Sequence, residues 1–196
     1  LATLWFLGGC GGSTSPVQAY VPQRLIVFGD ETSALVDDGN HNAWKYSVNG
    51  INATTNERDC ETLPNWVQGV AARFGLVFAE CNPGGITYPN ALMRAQPGAT
   101  VEDPTIGLAQ QIALQQVNGL GTGDLVTVMI GNNDILALFD QVQAGQLSQP
   151  DALAEARRRG GVTAELVNQL LALNTRLLLV TIPDLGNSPF AIAAVS

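Results

Sequence analysis

Histidine is almost missing from this sequence, with His41 the only one. Cysteine is sparse too: Cys10, Cys60 and Cys81 stand far apart, so no His/Cys metal motif can be read. Lys and Arg number 9 against 17 Asp and Glu, a net charge of −8. That balance excludes a nucleic-acid partner, because phosphate binding needs clustered cations. The one dense basic run, Arg157-Arg158-Arg159, reads as a solvated helix end. No apolar run reaches the roughly 18 residues of a membrane-crossing helix. There is no Gly-x-Ser-x-Gly elbow and no dinucleotide-binding glycine fingerprint. Gly119-Leu120-Gly121-Thr122-Gly123-Asp124 precedes a strand and lacks a Lys-Ser/Thr ending, so it is a turn and not a phosphate loop.

What is present is 196 residues of 46% apolar composition, enough for one sizeable core. Residues 1–9 carry the apolar stretch and small-residue end of a secretion signal without its basic start. Leu7-Gly8-Gly9-Cys10 resembles the lipobox of bacterial lipoproteins, in which the cysteine is lipidated. The alternatives are an ordinary signal that contains a cysteine, or a buried N-terminal strand. Residues 10–23 are then expected to form the anchor and its Gly/Ser/Thr/Pro tether, and residues 24–196 a single domain that is expected to be truncated at its C-terminal end. An exported, bacterial cell-envelope lipoprotein, periplasmic or outer-membrane-anchored, is expected, touching the membrane only through Cys10. In such a chain Cys60 and Cys81, which bracket a helix, are expected to pair.

Leu25 to Phe28 is an uninterrupted apolar run, the pattern of a buried parallel strand. Two more such strands are expected, at Leu125–Ile130 and Arg176–Ile182. Trp44, Tyr46 and Val48 alternate with polar residues and suggest a hairpin arm, while Asp37-Asp38-Gly39-Asn40 marks a turn. Helices are predicted from Leu63 to Phe74, from Ile106 to about Val117, and from Ile135 to Ala144. Two further helices, Asp151–Arg159 and Thr163–Leu173, are separated by Gly160-Gly161. In the second of these five, Ile106, Ala109, Ile112, Ala113 and Val117 are expected inward. Residues 82–105, rich in Gly, Pro and Asn, read as one long irregular loop. Strands spaced by helices imply an α/β fold, a parallel sheet with helices on both faces.

Each strand ends in a polar cluster, and ligands bind at the carboxyl ends of strands in open α/β sheets. The clusters are Gly29-Asp30-Glu31-Thr32-Ser33, Gly131-Asn132-Asn133-Asp134 and Pro183-Asp184-Leu185-Gly186. Between the first two lies Ala95-Gln96-Pro97-Gly98-Ala99-Thr100. In order and spacing these four blocks resemble the SGNH (GDSL-type) esterases and lipases over roughly residues 24 to 190. The resemblance implies a three-layer α/β/α, flavodoxin-like fold, an ester or a lipid- or glycan-type small molecule as ligand, and no cofactor.

In that family a serine attacks the ester carbonyl, and three donors hold the resulting oxyanion. Carried over, the nucleophile position is Glu31, preceded by Asp30. The donors are the Glu31 N–H, the Gly98 N–H and the Asn133 side chain, with Asn132 and Asp134 flanking the substrate. The family's base, a histidine in Asp-x-x-His, has no counterpart after His41, which reads as a surface loop residue. Thr32 and Ser33 are the neighbouring hydroxyls, but a shift of one or two residues redirects the side chain. A fixed carboxylate at position 31 is expected to fill the oxyanion pocket itself. Three functions remain open: an ester hydrolase with unorthodox catalysis, a non-catalytic surface binding module, and a structural lipoprotein.

Overall fold

A computed structural model describes residues 19–194 of the chain. Cys10, expected to carry lipid, and the segment before it lie outside the described residues. Strand β1 (Arg24–Gly29) is buried from Leu25 onward and forms the middle of a four-stranded parallel sheet. A two-residue antiparallel pair, β2 (Gly50–Ile51) and β3 (Arg58–Asp59), stands apart from it. Next come α1 (Trp66–Arg73), β4 (Ala91–Met93), α2 (Leu108–Val117) and β5 (Asp124–Met129). The chain continues through α3 (Asn132–Gln143), α4 (Gln149–Ala172) and β6 (Arg176–Leu179). A 3₁₀ turn at Leu185–Asn187 leads into α5 (Pro189–Ala194).

The order across the sheet is β4-β1-β5-β6, with Leu25 between Ala91 and Leu125. Alternate residues of β1 then serve two separate cores, as the period of a strand demands. Leu25 and Val27 pack with Val67 and Ala71 of α1, together with Leu76 and Phe78. Ile26 and Phe28 pack on the other face with Leu108 and Ile112 of α2 and Leu166 and Leu170 of α4. This is the three-layer α/β/α arrangement expected. At the amino ends of the strands, Arg24 grips Asp124 with two hydrogen bonds of 2.7 and 2.8 Å, tying β1 to β5.

Several expected elements differ. No strand forms through Trp44 and Tyr46; Trp44 makes one bridge to Val36, and the two rings meet at 4.6 Å. The long loop contains β4, whose three residues have no periodicity of their own and are strand only because β1 offers them a partner. α1 starts later than expected because Asn65 caps it in a reciprocal box with Gln68, leaving Leu63 outside and exposed. α2 turns Gln111 and Gln115 inward and leaves Ala113 and Val117 outside.

α4 runs straight through Gly160-Gly161. Each glycine costs a helix about 1 kcal/mol relative to alanine, and a Ser148 cap and the packing of Leu166, Val167 and Leu170 outweigh this. Pro150 lies in its first turn, where a missing N–H costs nothing. The Arg157-Arg158-Arg159 run is therefore mid-helix and not a helix end. β6 is a shorter strand than expected, with its apolar residues half-exposed or exposed. None of the helices in the described residues is long and apolar enough to cross a membrane.

Cys60 and Cys81 form a disulfide with a Cα–Cα distance of 5.8 Å. Beside it the buried Lys45 directs its Nζ at the carbonyls of Cys60, Thr62 and Leu63, at 3.0 to 3.1 Å. Burial pushes the Lys45 ammonium below its ordinary value, while the three carbonyls satisfy its donors. Disulfide and lysine together fix the loop that leads into α1. Replacing both cysteines by serine is expected to lower the unfolding free energy by roughly 3 kcal/mol, through the loop they close. Denaturant midpoints with and without reductant measure this; identical midpoints would refute it.

Candidate active site

The parallel sheet brings the turns after β1, β4 and β5 to one edge. The first turn depends on a close approach. Gly29 has φ +147°, and a Cβ there would lie 2.0 Å from the Met129 carbonyl oxygen, so only glycine fits. Gln111 of α2 clasps the same residue. Its Oε1 accepts from the Gly29 N–H at 2.9 Å, and its Nε2 donates to the Gly29 carbonyl at 2.8 Å. The Gln96 N–H also donates to the Gly29 carbonyl, at 3.0 Å, tying the turn after β4 to the turn after β1.

Glu31 projects from this turn toward the other two. The Gly98 N–H donates to Glu31 Oε2 at 2.9 Å, and Asn133 Nδ2 donates to the same oxygen at 2.9 Å. Asn133 Nδ2 also reaches the Ala99 carbonyl at 3.0 Å, which fixes its rotamer. Gly98 has φ +78°, a left-handed conformation that glycine adopts without penalty. Asn133 lies in the first turn of α3, where the helix dipole favours a negative charge. The Glu31 N–H, expected as a third donor, finds no acceptor among the described residues.

Asp30 is fully buried. Its Oδ1 accepts from the Thr32 N–H at 3.0 Å and the Thr32 hydroxyl at 2.5 Å, and its Oδ2 accepts from Asn132 Nδ2 at 3.3 Å. Loss of water around Asp30 raises its pKa above the ordinary carboxylate value. The Thr32 hydrogen bonds pull the other way, and the Glu31 charge adds to the rise. Ser33 is fully buried and its hydroxyl has no partner among the described residues.

Asn132 and Asp134 are buried and turned inward. Asp134 accepts from the Val101 N–H at 3.0 Å and from Arg159 at 3.0 Å. Arg158, one residue earlier on α4, pairs with Glu102. The basic run on α4 thus holds the segment that follows Gly98, and two of its three arginines share Glu155, whose carboxyl they lower to about 2. His41 is exposed, and its Nδ1 lies 2.8 Å from the Ala79 carbonyl oxygen; it touches none of the convergent residues. Among the described residues no three His, Cys, Asp or Glu side chains cluster in a way that could hold a metal ion.

The family model for GDSL-like lipase/acylhydrolase matches residues 25–194. The chain belongs to that family. Among the curated proteins, none matches it. As a GDSL-family hydrolase fold, the chain brings three of the four blocks to one sheet edge, where Gly98 and Asn133 both donate to Glu31, and Asp30, the residue before Glu31, accepts from Asn132, the residue before Asn133. Gln111 and Arg159 were missed in the sequence, where a polar helix residue reads as solvated. The available signal was that Gln111 and Gln115 share a helical face with Leu108 and Ile112.

The buried Asp30 yields a pH prediction. Its folded-state pKa lies above the unfolded one, so its ionisation opposes folding at neutral pH. That cost fades as pH falls through the raised value toward the ordinary range near about pH 4. Asp30→Asn keeps the acceptor for Thr32, and the unpartnered Asn132 Oδ1 is free to accept from the new amide once Asn132 turns over. The variant is expected to be at least as stable as wild type at neutral pH, with the balance moving toward wild type on acidification. Thermal melts of the two proteins across this range check the sign.

Proposed function

We propose that the edge formed by the turns after β1, β4 and β5 is an acyl-ester site of the carboxylesterase or lipase type, closed by Glu31. The observation that carries this reading is the convergence of Gly98 N–H and Asn133 Nδ2 on one Glu31 oxygen, each at 2.9 Å. Oxyanion donors are effective at about 2.7–3.1 Å from the charge they stabilise. The Glu31 carboxylate stands in for that oxyanion. It satisfies donors that would otherwise lie unpaired, and it excludes an ester carbonyl from them.

In this reading the wild-type chain is a poor esterase. Attack on an acyl carbon by a carboxylate gives an anhydride, and the described residues bring no histidine to position 31. That absence also favours a second reading, a non-catalytic module that binds a lipid- or glycan-type ligand or serves as a structural lipoprotein. Both fit a bacterial envelope protein anchored through Cys10. Mass spectrometry of the native N-terminus tests the anchor: an acylated Cys10 as first residue is expected, and retained residues 1–9 would defeat it.

The site is tested by Glu31→Ser, with imidazole supplied as the missing base and p-nitrophenyl butyrate as substrate. An acyl adduct at position 31 is expected in the variant and not in wild type. Adding Asn133→Ala should slow acylation by roughly 10²–10³. A folded Glu31→Ser chain that never acylates would overturn the ester reading and leave the binding module.

A further inference from the structure

We propose that Glu31 is itself a nucleophile, directed at sp³ carbon, and that the chain opens apolar-substituted epoxides through a glutamyl ester at position 31. The proposal rests on the oxyanion-pocket reading above and extends it to the carboxylate now in the pocket. Both donors end on Oε2. Oε1 accepts no hydrogen bond from any described residue, and it is absent from the buried oxygens that lack partners, so solvent reaches it. One oxygen is held and the other is free.

That asymmetry decides which carbon Glu31 suits. At an acyl carbon a carboxylate yields a reactive anhydride. At an sp³ carbon it yields an ordinary ester, as carboxylate nucleophiles do in retaining glycosidases. In the first step an Oε1 lone pair forms the O–C bond and the epoxide C–O bond breaks. The electron pair goes to the ring oxygen, which takes a proton from water. Oε2 becomes the ester carbonyl oxygen without leaving Gly98 and Asn133. In the second step the hydroxide left when that water gave up its proton adds to the carbonyl carbon, and charge develops on Oε2, where the two donors already point. Cleavage of the acyl C–O bond sends its electron pair to the leaving oxygen, which takes the proton of the new carboxyl group, so that the carboxylate is restored and a diol is released.

The electrophile is an epoxide because the described residues bring no acid to the site for a leaving group. A glycosidase places a second carboxyl group about 5–5.5 Å from its nucleophile. Here the neighbouring carboxyl, Asp30, is fully buried and its oxygens are taken by Thr32 and Asn132. Ring strain expels the epoxide oxygen with water alone as proton source. The apolar substituent is assigned to a cavity of about 430 Å³ that opens beside Thr32, the residue next to Glu31, and is lined by Val48, Leu63, Pro64 and Trp66 together with Ser47 and Asn65. The second step needs a base for water, and His41 is turned to the Ala79 carbonyl. With no such base among the described residues, the ester is expected to accumulate in this chain.

The test is incubation of the full chain with 1,2-epoxyhexane, followed by intact mass and peptide mapping. One equivalent of adduct is expected on Glu31, saturable in epoxide, removed by hydroxylamine, and formed at least about tenfold faster than on any other acidic side chain, as positioning requires. Glu31→Gln should lose it. Mapping of the wild-type chain decides even where that variant folds poorly. Adducts spread evenly over surface carboxylates, or a Glu31→Gln chain that labels like wild type, would overturn the proposal. If Glu31→Ser acylates with the butyrate ester while wild type ignores the epoxide, this proposal falls and the oxyanion pocket stands. If neither reacts, the pocket reading falls with it.

Discussion

The pairing of β1 with β4 on one side and β5 on the other is the constraint from which the site follows. Parallel strands end at the same edge, so the turn after each meets the other two. The pairing is tight enough that the Gly29 backbone lies against the Met129 carbonyl, and a side chain at position 29 would separate the strands. Gln111 then fixes both polar groups of Gly29. The direction in which Glu31 leaves the sheet is set by backbone contacts before its own carboxylate meets any donor.

Once Glu31 is so directed, its charge explains much of the surrounding order. Gly98 in a left-handed conformation and Asn133 in the first helical turn are both arranged to donate, and a donor without an acceptor is costly in a half-buried place. The carboxylate satisfies both. The segment from Gly98 to Glu102 is held from behind by Asp134, Arg158 and Arg159, so the donors are kept in position by a charged network shared between α3 and α4. In the proposed reading, the same carboxylate that meets both donors keeps an acyl oxygen away from them.

The second carboxylate in the turn, Asp30, has the opposite environment. It is sealed from water, and its oxygens are used by Thr32 and Asn132 to shape the turn. Two adjacent acidic residues are thus separated by burial into a structural one and a solvent-reaching one. The loop before α1 is made rigid in a comparable way, by a disulfide and a lysine whose three donors all go to backbone carbonyls.

By itself the sequence determined the order of apolar strands and helices, the glycines at the strand ends, the pairing of Cys60 with Cys81, and the identity of the block residues. These are local or composition-borne properties: apolar runs, turn residues and short motifs carry their meaning in a few positions. Only the tertiary structure decided that Ala91–Met93 is a strand, because a three-residue strand exists through its partner. It alone decided that Gln111 and Arg159 face inward, since a polar side chain on a helix reads as solvated until its acceptor is known. The continuity of α4 through Gly160-Gly161 was likewise settled by packing that outweighs local propensity. That Glu31 gives one oxygen to two donors and keeps the other free is a fact of three turns meeting, and no single stretch of sequence contains it.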